Sequence, residues 1–399
     1  MTNIAPLDGI TVLSLEHAIA APLCTRQLAE LGARVIKVER LETGDFARHY
    51  DNRVKGQSSH FVWTNRSKQS LTLNLKHESS TEILDRLLPN IDVLVQNLAP
   101  SAADKIGMSY RHLHEQYPNM IVCNISGYGN GGPYQHKKAY DLLVQAEAGF
   151  LSITGTEDQM VKSGISIADI AAGMQAQAAV LAALIQRGKT GKGSNIEISM
   201  LEAMVEWMGF PLYYAYEGAE PPRRSGADHA SIYPYGSFLT KDKKTIMLGL
   251  QNEREWKLFC CNVIEQEGLF NDKRFFTNAL RSTNRDALRN IIESVFLKLS
   301  SNEVAEKLDA GQIAYANVND MVSVWQHPQL QALKRIVETE TPEGVVDSFL
   351  PPGNNSSYIA TLGPVPEIGE HSRSILGELN FSEKEIKIFF DDGQGGHLV

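Results

Sequence analysis

Strand-like and helix-like segments alternate along the first half of the chain. Residues 9–15 (GITVLSL) and 34–39 (RVIKVE) have the apolar character of buried strands, and residues 22–31 between them have a helical pattern closed by Gly32. Similar strand patterns follow at 70–75, 91–98 and 120–126. Parallel strands need such crossover helices, so the pattern predicts an α/β fold with a large, doubly wound, mostly parallel sheet. Ligands are expected at the carboxyl ends of its strands.

The chain changes character near residue 218. The segment PPRRSGADHASIYPYGSF is rich in turn formers, and residues 236–250 have the pattern of a β-hairpin followed by helices. These features predict a small α+β domain over residues 218–328. The tail is too short to fold alone, so we expect residues 329–399 to join residues 1–217 in one large Rossmann-like domain.

Composition and cysteine spacing narrow the classes of function. A net charge of −9 without a basic run argues against nucleic-acid binding. Cys24, Cys123, Cys260 and Cys261 have no CxxC or framework spacing, which favours a reducing compartment. We found no signal-peptide pattern and expected no apolar window long enough to span a bilayer. A cytoplasmic protein with no membrane or nucleic-acid partner is therefore expected.

Several catalytic motifs are absent or incomplete. Gly127, Gly129 and Gly132 fit G-x-G-x-x-G, but Pro133 follows where a dinucleotide site needs a helix, so we interpret this loop as one that a ligand or backbone approaches closely. The sequence has no H-E-x-x-H, Walker or G-x-S-x-G motif. No metal site, phosphoryl transfer or serine hydrolase activity is expected.

Cations are placed near the ends of the predicted strands. They either converge on a ligand with several phosphates or form a solvated surface. The cations concerned are Lys37, Arg40, Arg66, Lys68, Lys76 and Lys105.

Asp169 precedes a predicted long helix over residues 170–187, which ends at Gly188. As the N-cap of that helix, its carboxylate would be held ionised by the helix dipole, and nearby backbone N–H groups would be available as an oxyanion hole. Local sequence alone favours a capping role.

Long stretches of the chain resemble one known family. They are PLDGITVLSLEHAIAAPLCTRQLAELGARVIKVE with Gly44 and Asp45, NRSKQSLTLNLK, DVLVQNLAPSAADKIGM, SGYGNGGPYQHKKAYDLLVQAEAG and ADIAAGMQAQAAVLAAL. Over nearly its whole length, the chain resembles the class III CoA-transferases, the family of formyl-CoA:oxalate and carnitine CoA-transferases.

The resemblance implies a fold, a substrate and site residues. It implies an interlocked homodimer whose large domain is built from both termini, a CoA thioester as substrate, and no permanently bound cofactor. It makes Asp169 the nucleophile, which forms a mixed anhydride and then an aspartyl-CoA thioester. CoA contacts carried over from the family are His17, Ala18, Arg40, Leu73, Lys76, Asn97, Leu98, Lys105, Lys138, Tyr140 and Met200.

Departures from the family pattern bear on specificity. Ile19 stands where the formyl-CoA enzyme has glutamine, Lys105 replaces an arginine, and residues 226–238 replace a glycine-rich flap. The segment around that flap resembles transferases of C4 and C5 dicarboxylates, such as those that pair succinyl-CoA with itaconate, mesaconate or citramalate. Arg223, Arg224 or His229 would then meet the distal carboxylate, or else be exposed loop charges.

Two other functions compete with CoA transfer. The superfamily includes α-methylacyl-CoA racemases, which carry a histidine as a base where this chain has Tyr140. Tyrosine is a poor base near neutral pH because its reference pKa is about 10. A non-catalytic acyl-CoA binding protein is the other alternative, and the presence of Asp169 argues against it.

Overall fold

The computed structural model describes residues 4–391, in two compact units. The larger unit contains residues 4–148, 163–209 and 332–391, and the smaller contains 149–162 and 210–331. The predicted domain limits of 218 and 328 stay a prediction. They differ from the limits of the compact units chiefly in the segment 149–162.

A six-stranded parallel sheet forms the centre of the larger unit. Its strand order is β3-β2-β1-β4-β5-β6, the order of a doubly wound sheet. This confirms the predicted fold class. The strands are β1 (Thr11–Leu15), β2 (Arg34–Glu39), β3 (Lys68–Thr72), β4 (Val93–Gln96), β5 (Ile121–Ser126) and β6 (Asn195–Ser199).

Helices alternate with these strands and continue along the chain to residue 214. They are α1 (Ala20–Glu30), α2 (Ser59–Asn65), α3 (Glu78–Leu87), α4 (Pro100–Lys105), α5 (Tyr110–Gln116), α6 (Asp141–Glu147), α7 (Phe150–Ile153, in the smaller unit), α8 (Ile167–Thr190), α9 (Met200–Trp207) and α10 (Gly209–Tyr214). α8 packs closely on α1 at Gly173, where a Cβ atom would lie 2.6 Å from the carbonyl oxygen of Ala20. Glycine at that position permits the close approach.

The smaller unit is built on a three-stranded antiparallel sheet. It contains the predicted hairpin as β7 (Tyr235–Leu239) and β8 (Thr245–Gly249), and β9 (Ala314–Asn317) pairs with β8. Its aromatic core includes Trp256, Phe259 and Phe296. The helices that follow β8 are α11 (Glu253–Leu258), α12 (Asn278–Thr283), α13 (Arg285–Phe296), α14 (Ser301–Ala310), α15 (Met321–Trp325) and α16 (Pro328–Ala332).

The tail contributes to the core of the larger unit. It forms an antiparallel pair, β10 (Ile336–Thr339) and β11 (Val346–Phe349), and the helices α17 (Ser372–Glu378) and α18 (Glu383–Asp391). Leu376 of α17 and Phe389 of α18 belong to the same buried cluster as Leu13, Ile36 and Leu71 of the sheet. Burial of these apolar side chains ties both ends of the described chain into one domain.

α8 corrects the expectation that no apolar stretch reaches bilayer length. It has 24 residues, and its most apolar window has a mean hydropathy of 1.5, so by length and composition it is able to cross a membrane. A core helix of a globular domain has the same properties. α8 packs against α1, α9 and two strands of the sheet, and 33% of its most apolar window is buried.

Candidate functional site

A cavity of about 670 Å³ lies at the carboxyl ends of β1, β2, β3 and β4. This is where ligands bind in doubly wound sheets, and the volume is typical of small-molecule sites. Five of the predicted CoA contacts line the cavity: His17, Arg40, Leu73, Lys76 and Leu98. Glu16, Asp45 and Phe46 also line it and were missed by sequence reasoning.

Two further predicted contacts, Ala18 and Asn97, are part of the structure that shapes the cavity wall. The Asn97 side chain bonds the backbone of His17 at both ends: Oδ1 accepts from the N–H at 3.1 Å and Nδ2 donates to the carbonyl at 2.9 Å. Ala18 has φ of 65° and donates its N–H to Asp45 Oδ1 at 3.2 Å. These bonds fix the turn that leaves β1.

The other four predicted CoA contacts do not line this cavity. Lys105 and Lys138 are exposed, at the end of α4 and in the loop before α6. Tyr140 immediately precedes α6 with 70% of its surface exposed, and Met200 is the buried first residue of α9. Their roles in CoA binding stay predictions.

Three of the strand-end cations are structural and are not available to a phosphate. Lys37 and Lys68 are fully buried and bond Asp45 and Glu16, each at 2.7 Å. Arg66 pairs with Glu30 at 2.6 Å. The prediction that the six cations form either a ligand site or a solvated surface is therefore wrong for Lys37, Lys68 and Arg66. Of the six, only Arg40 and Lys76 line the cavity.

A row of aromatic rings runs from the cavity along the loop after β2. The rings of His17 and Phe46 lie 4.9 Å apart, those of Phe46 and Tyr50 5.7 Å, and those of Tyr50 and His60 5.3 Å. Burial lowers the pKa of His17, and the net effect of nearby charges does not reverse this. A neutral imidazole at neutral pH follows.

Asp169 lies within the first turn of α8, and the prediction that it is the N-cap is wrong. The helix begins at Ile167, so Asp169 is its third residue, and Ser166 is the N-cap without a side-chain capping bond. The predicted end at residue 187 is also too early, because α8 continues to Thr190 and ends at Gly191, which has φ of 70°. The sequence reasoning placed the helix correctly but missed its first turn.

The electrostatic environment of Asp169 also differs from the expectation. Burial, together with the negative charge of Asp141, raises the pKa of Asp169 to about 7. Desolvation of the carboxylate therefore outweighs the stabilisation by the helix dipole. A carboxyl group whose pKa is raised to near neutral pH is a common feature of functional sites.

The first turn of α8 does not supply an oxyanion hole. Asp141 Oδ1 accepts from the N–H groups of Ala168 and Asp169, and Ile170 donates to the carbonyl of Ser166. These N–H groups are engaged within the described structure and do not point at a substrate. Asp141 was also missed from sequence, although it directly follows Tyr140.

Tyr50 is another residue near Asp169 that sequence reasoning missed. Burial raises the pKa of Tyr50 to about 12, with contributions from the charges of Asp45 and Asp169 and from Tyr140. The phenol therefore stays protonated and is able to donate a hydrogen bond at neutral pH. Its position five residues after Asp45 was the available signal.

The residues predicted to bind the second substrate differ in their hydrogen bonds and in their exposure. Arg224 donates to the carbonyls of Thr156 and Glu157, each at 2.7 Å. His229 Nδ1 accepts from two backbone N–H groups, which leaves Nε2 as the possible donor, whereas Arg223 is exposed without a hydrogen bond or ion pair to the described residues. Ile19, predicted to border the substrate, is buried at the start of α1.

The described residues contain no group of three or more His, Cys, Asp or Glu side chains arranged to hold a metal ion. The side chains described above are a half-buried carboxylate, a neutral imidazole, a phenol and two cations at the cavity. Such a set suits transfer of an acyl group between a carboxylate and a phosphate-bearing thiol ester.

Comparison with known proteins agrees with this chemistry. The succinyl-CoA:glutarate CoA-transferase of Homo sapiens is 32% identical over 393 residues, covering 97% of this chain and 89% of the human protein. The succinate–glutarate CoA-transferase of Agrobacterium fabrum is 30% identical, covering 95% of this chain and 97% of its own. A crystal structure of a CAIB/BAIF family protein from Brucella suis is similar with a TM-score of 0.85 and 29% identity, covering 95% of this chain and all of that one.

The family model matches nearly the whole length of the chain. The model of CoA-transferase family III aligns with residues 7–372, which include all of the smaller unit and most of the larger unit. Proteins of this family use a CoA thioester as substrate. The chain belongs to CoA-transferase family III.

Proposed function

We propose that this CoA-transferase moves CoA from succinyl-CoA to a C4 or C5 dicarboxylic acid through covalent intermediates on Asp169. The half-buried carboxylate in the first turn of α8, with its raised pKa, is the observation that carries the proposal. The cavity with Arg40 and Lys76 supports binding of the CoA phosphates. Phe46 lines that cavity and contacts Tyr50, on which Asp169 acts electrostatically.

The reaction consists of four acyl transfers that balance without a cofactor. A carboxylate oxygen of Asp169 attacks the thioester carbonyl of the donor; the C–S bond breaks, CoA leaves as thiolate, and a mixed anhydride remains. The thiolate attacks the aspartyl carbonyl and releases the donor acid, which leaves an aspartyl-CoA thioester. The acceptor carboxylate and the thiolate then repeat these two steps in reverse order, which restores Asp169.

The first step needs Asp169 ionised and close to the thioester carbonyl. A carboxylate in bulk water is a weak nucleophile, but burial removes hydration and positioning lowers the entropic barrier. The thioester and the anhydride both keep an acyl group activated, and the energy of the donor thioester is kept in the product thioester, so no ATP is required. The half-buried position of Asp169 on a packed helix supports such positioning.

The choice of acids rests on two observations. The similar enzymes of Homo sapiens and Agrobacterium fabrum are named for succinate and glutarate, both dicarboxylic acids. Arg223 is an exposed cation without a partner among the described residues, and a second carboxylate in a closed site needs a cation. We therefore expect Arg223, more than the engaged Arg224, to meet the distal carboxylate.

An acceptor panel tests the proposed function. The full-length protein is incubated with succinyl-CoA and glutarate, itaconate, mesaconate, citramalate or matched monocarboxylates, and the new CoA esters are quantified by mass spectrometry. Dicarboxylates are expected to be the better acceptors. Arg223→Ala is expected to lower kcat/KM for them by roughly 10-fold, the value of one charge-assisted hydrogen bond, and to leave monocarboxylates unchanged.

Arg254→Ala is the matched control, because it removes an exposed arginine from the same unit. Equal use of monocarboxylates, together with an unchanged preference in Arg223→Ala and Arg224→Ala, would contradict the assigned substrate class. Exchange of an α-proton in a 2-methylacyl-CoA without any new ester would instead indicate a racemase.

We also propose that the enzyme acts as an interlocked homodimer. Large apolar side chains are exposed on α6, α8 and α9, including Leu143 at 47%, Ile185 at 64% and Trp207 at 43%. Such surfaces are typical of protein interfaces. Sedimentation equilibrium should give twice the chain mass of 44.1 kDa, and a monomer at micromolar concentration would refute the pairing.

A further inference from the structure

The first turn of α8 is capped by a carboxylate from another helix. Asp141, the first residue of α6, accepts through Oδ1 from the N–H of Ala168 at 2.8 Å and of Asp169 at 3.4 Å. Its Oδ2 accepts from Nε2 of Gln145 at 2.7 Å, and Oε1 of the buried Gln145 accepts from the N–H of Ser163 at 2.9 Å. Asp141 is thus fixed from both sides and lies against the backbone of the proposed nucleophile.

Among the described residues, Asp141 is the side chain whose charge raises the pKa of Asp169. The phenol of Tyr50 lies in the same neighbourhood and is neutral near pH 7, because burial raises its pKa. Four charged groups on α8 and on the elements packed around it have other partners. Glu30 of α1 pairs with Arg66, and Glu147 of α6 pairs with Lys137. Glu202 of α9 accepts from Ser199, and Arg187 of α8 pairs with Asp92. The like charge of Asp141 is therefore not compensated by a cation beside Asp169.

We propose that Asp141 is a positioning residue that sets both the orientation and the basicity of Asp169. As a cap it fixes the first turn of α8, and so the direction of the Asp169 side chain. As a fixed negative charge it disfavours the ionised form of Asp169 relative to any neutral form. The inference deepens the proposed function and rests on it, because it takes Asp169 as the nucleophile.

This arrangement favours the covalent intermediates of the reaction. Asp169 loses its charge when it becomes an anhydride or a thioester, so acylation removes the repulsion from Asp141. Burial, together with the same repulsion, raises the pKa of Asp169 to about 7, which makes the ionised carboxylate a stronger nucleophile than an exposed aspartate. Both effects act in the direction of forming the aspartyl-CoA thioester.

Asp141→Asn separates the charge from the cap, because the amide oxygen still accepts from Ala168 and Asp169. In the wild-type enzyme kcat/KM for succinyl-CoA should rise with pH, with its midpoint near pH 7, since Asp169 is inactive when protonated. In Asp141→Asn that midpoint should move to lower pH by on the order of one unit. The amount of aspartyl-CoA thioester at equilibrium should fall about 10-fold, as a shift of one pKa unit requires.

A direct titration separates this inference from the proposed function. The carboxyl 13C signals of aspartate-labelled protein are followed against pH, and the Asp169 signal is assigned by its absence in Asp169→Asn. Its midpoint should lie near pH 7 in the wild type and lower in Asp141→Asn, whether or not the protein turns over succinyl-CoA.

Asp320→Asn is the matched control, because Asp320 is an exposed carboxylate that caps α15 in the smaller unit. It should leave both titrations unchanged. Asp141→Ala should show the same acid shift and a lower Tm, because it loses the cap as well. The proposal is overturned if the Asp169 midpoint is the same in Asp141→Asn as in the wild type.

Discussion

Asp169→Asn is expected to lower kcat for CoA transfer by at least about a thousandfold, the scale on which removal of a covalent nucleophile acts in other acyl transferases. The carboxamide has a similar size, so the first turn of α8 should keep its fold. The variant loses the charge and the nucleophilic oxygen on which both anhydrides and the thioester depend. Binding of the acyl-CoA should change little, since Asp169 does not line the cavity that holds Arg40 and Lys76.

The measurement combines kinetics with chemical trapping. The wild-type enzyme is incubated with succinyl-CoA and treated with hydroxylamine or borohydride, and the modified residue is mapped by mass spectrometry. Modification is expected at Asp169 in the wild type and nowhere in Asp169→Asn. Asp85→Asn, at an exposed position of α3, is the control for loss of an aspartate and should keep full activity. A trapped residue other than Asp169, or a variant with more than about a tenth of the wild-type rate, would exclude Asp169 as the nucleophile.

The sheet illustrates what periodicity predicts and where its information ends. Alternating strand and helix patterns predicted a parallel, doubly wound sheet because a parallel strand requires a crossover. The same patterns did not predict the strand order β3-β2-β1-β4-β5-β6, because strand pairing depends on contacts between residues that are distant in sequence. The segment 149–162 belongs to the smaller unit through long-range contacts, such as the hydrogen bond from the N–H of Gly226 to the carbonyl of Gly155, which no local pattern predicts.

Charged residues at strand ends were harder to interpret. Arg40 and Lys76 line the cavity as a phosphate site requires, but Lys37 and Lys68 have the same sequence context and lie in the core. Their carboxylate partners, Glu16 and Asp45, come from other loops and strands, so no local pattern announces the pairing. These tertiary partners decide whether a cationic side chain faces the cavity or forms a buried ion pair.

Asp169 shows the same limit at the active site. Its place near a helix start was evident, and the resemblance of the surrounding sequence gave it a role. Its raised pKa was not evident, because that depends on burial and on Asp141, which is 28 residues away in sequence and comes from another helix. An argument from the helix dipole alone predicts the opposite direction of the pKa shift.

Lys37→Met should have the largest effect on stability. Lys37 is fully buried on β2, and its Nζ lies 2.7 Å from Asp45 Oδ2, 2.9 Å from Asn65 Oδ1 and 3.6 Å from Glu16 Oε1. Burial alone would lower its pKa, but the charges of Asp45, Glu16 and Glu39 outweigh burial and raise the pKa. Lys37 is therefore charged at neutral pH, and its removal leaves a buried carboxylate without its partner.

The expected loss in the free energy of unfolding is about 3–5 kcal/mol, the usual cost of removing one member of a buried ion pair. Lys68 cannot compensate fully, because its Nζ is already bonded to Glu16 and to the carbonyl of Pro22, and burial lowers its pKa to about 8. The turn at Ala18 should loosen as well, since Asp45 holds it through Oδ1. Urea denaturation monitored by circular dichroism gives the free energy of unfolding and the m-value of each variant.

Two further variants identify the cause of that loss. Lys192→Met removes an exposed lysine from the same unit and should change the free energy of unfolding by no more than about 0.5 kcal/mol. Lys37→Met combined with Asp45→Asn restores the balance of buried charge and retains an oxygen that accepts from Ala18, so the double variant should be more stable than Lys37→Met alone. Two results would show that Lys37, Lys68, Glu16 and Asp45 do not compensate one another as a network. One is a free energy of unfolding for Lys37→Met within about 1 kcal/mol of the wild-type value. The other is a further loss of stability when Asp45→Asn is added to Lys37→Met. Compensation within that network is what allows Lys37, Lys68, Glu16 and Asp45 to lie buried together at the cavity.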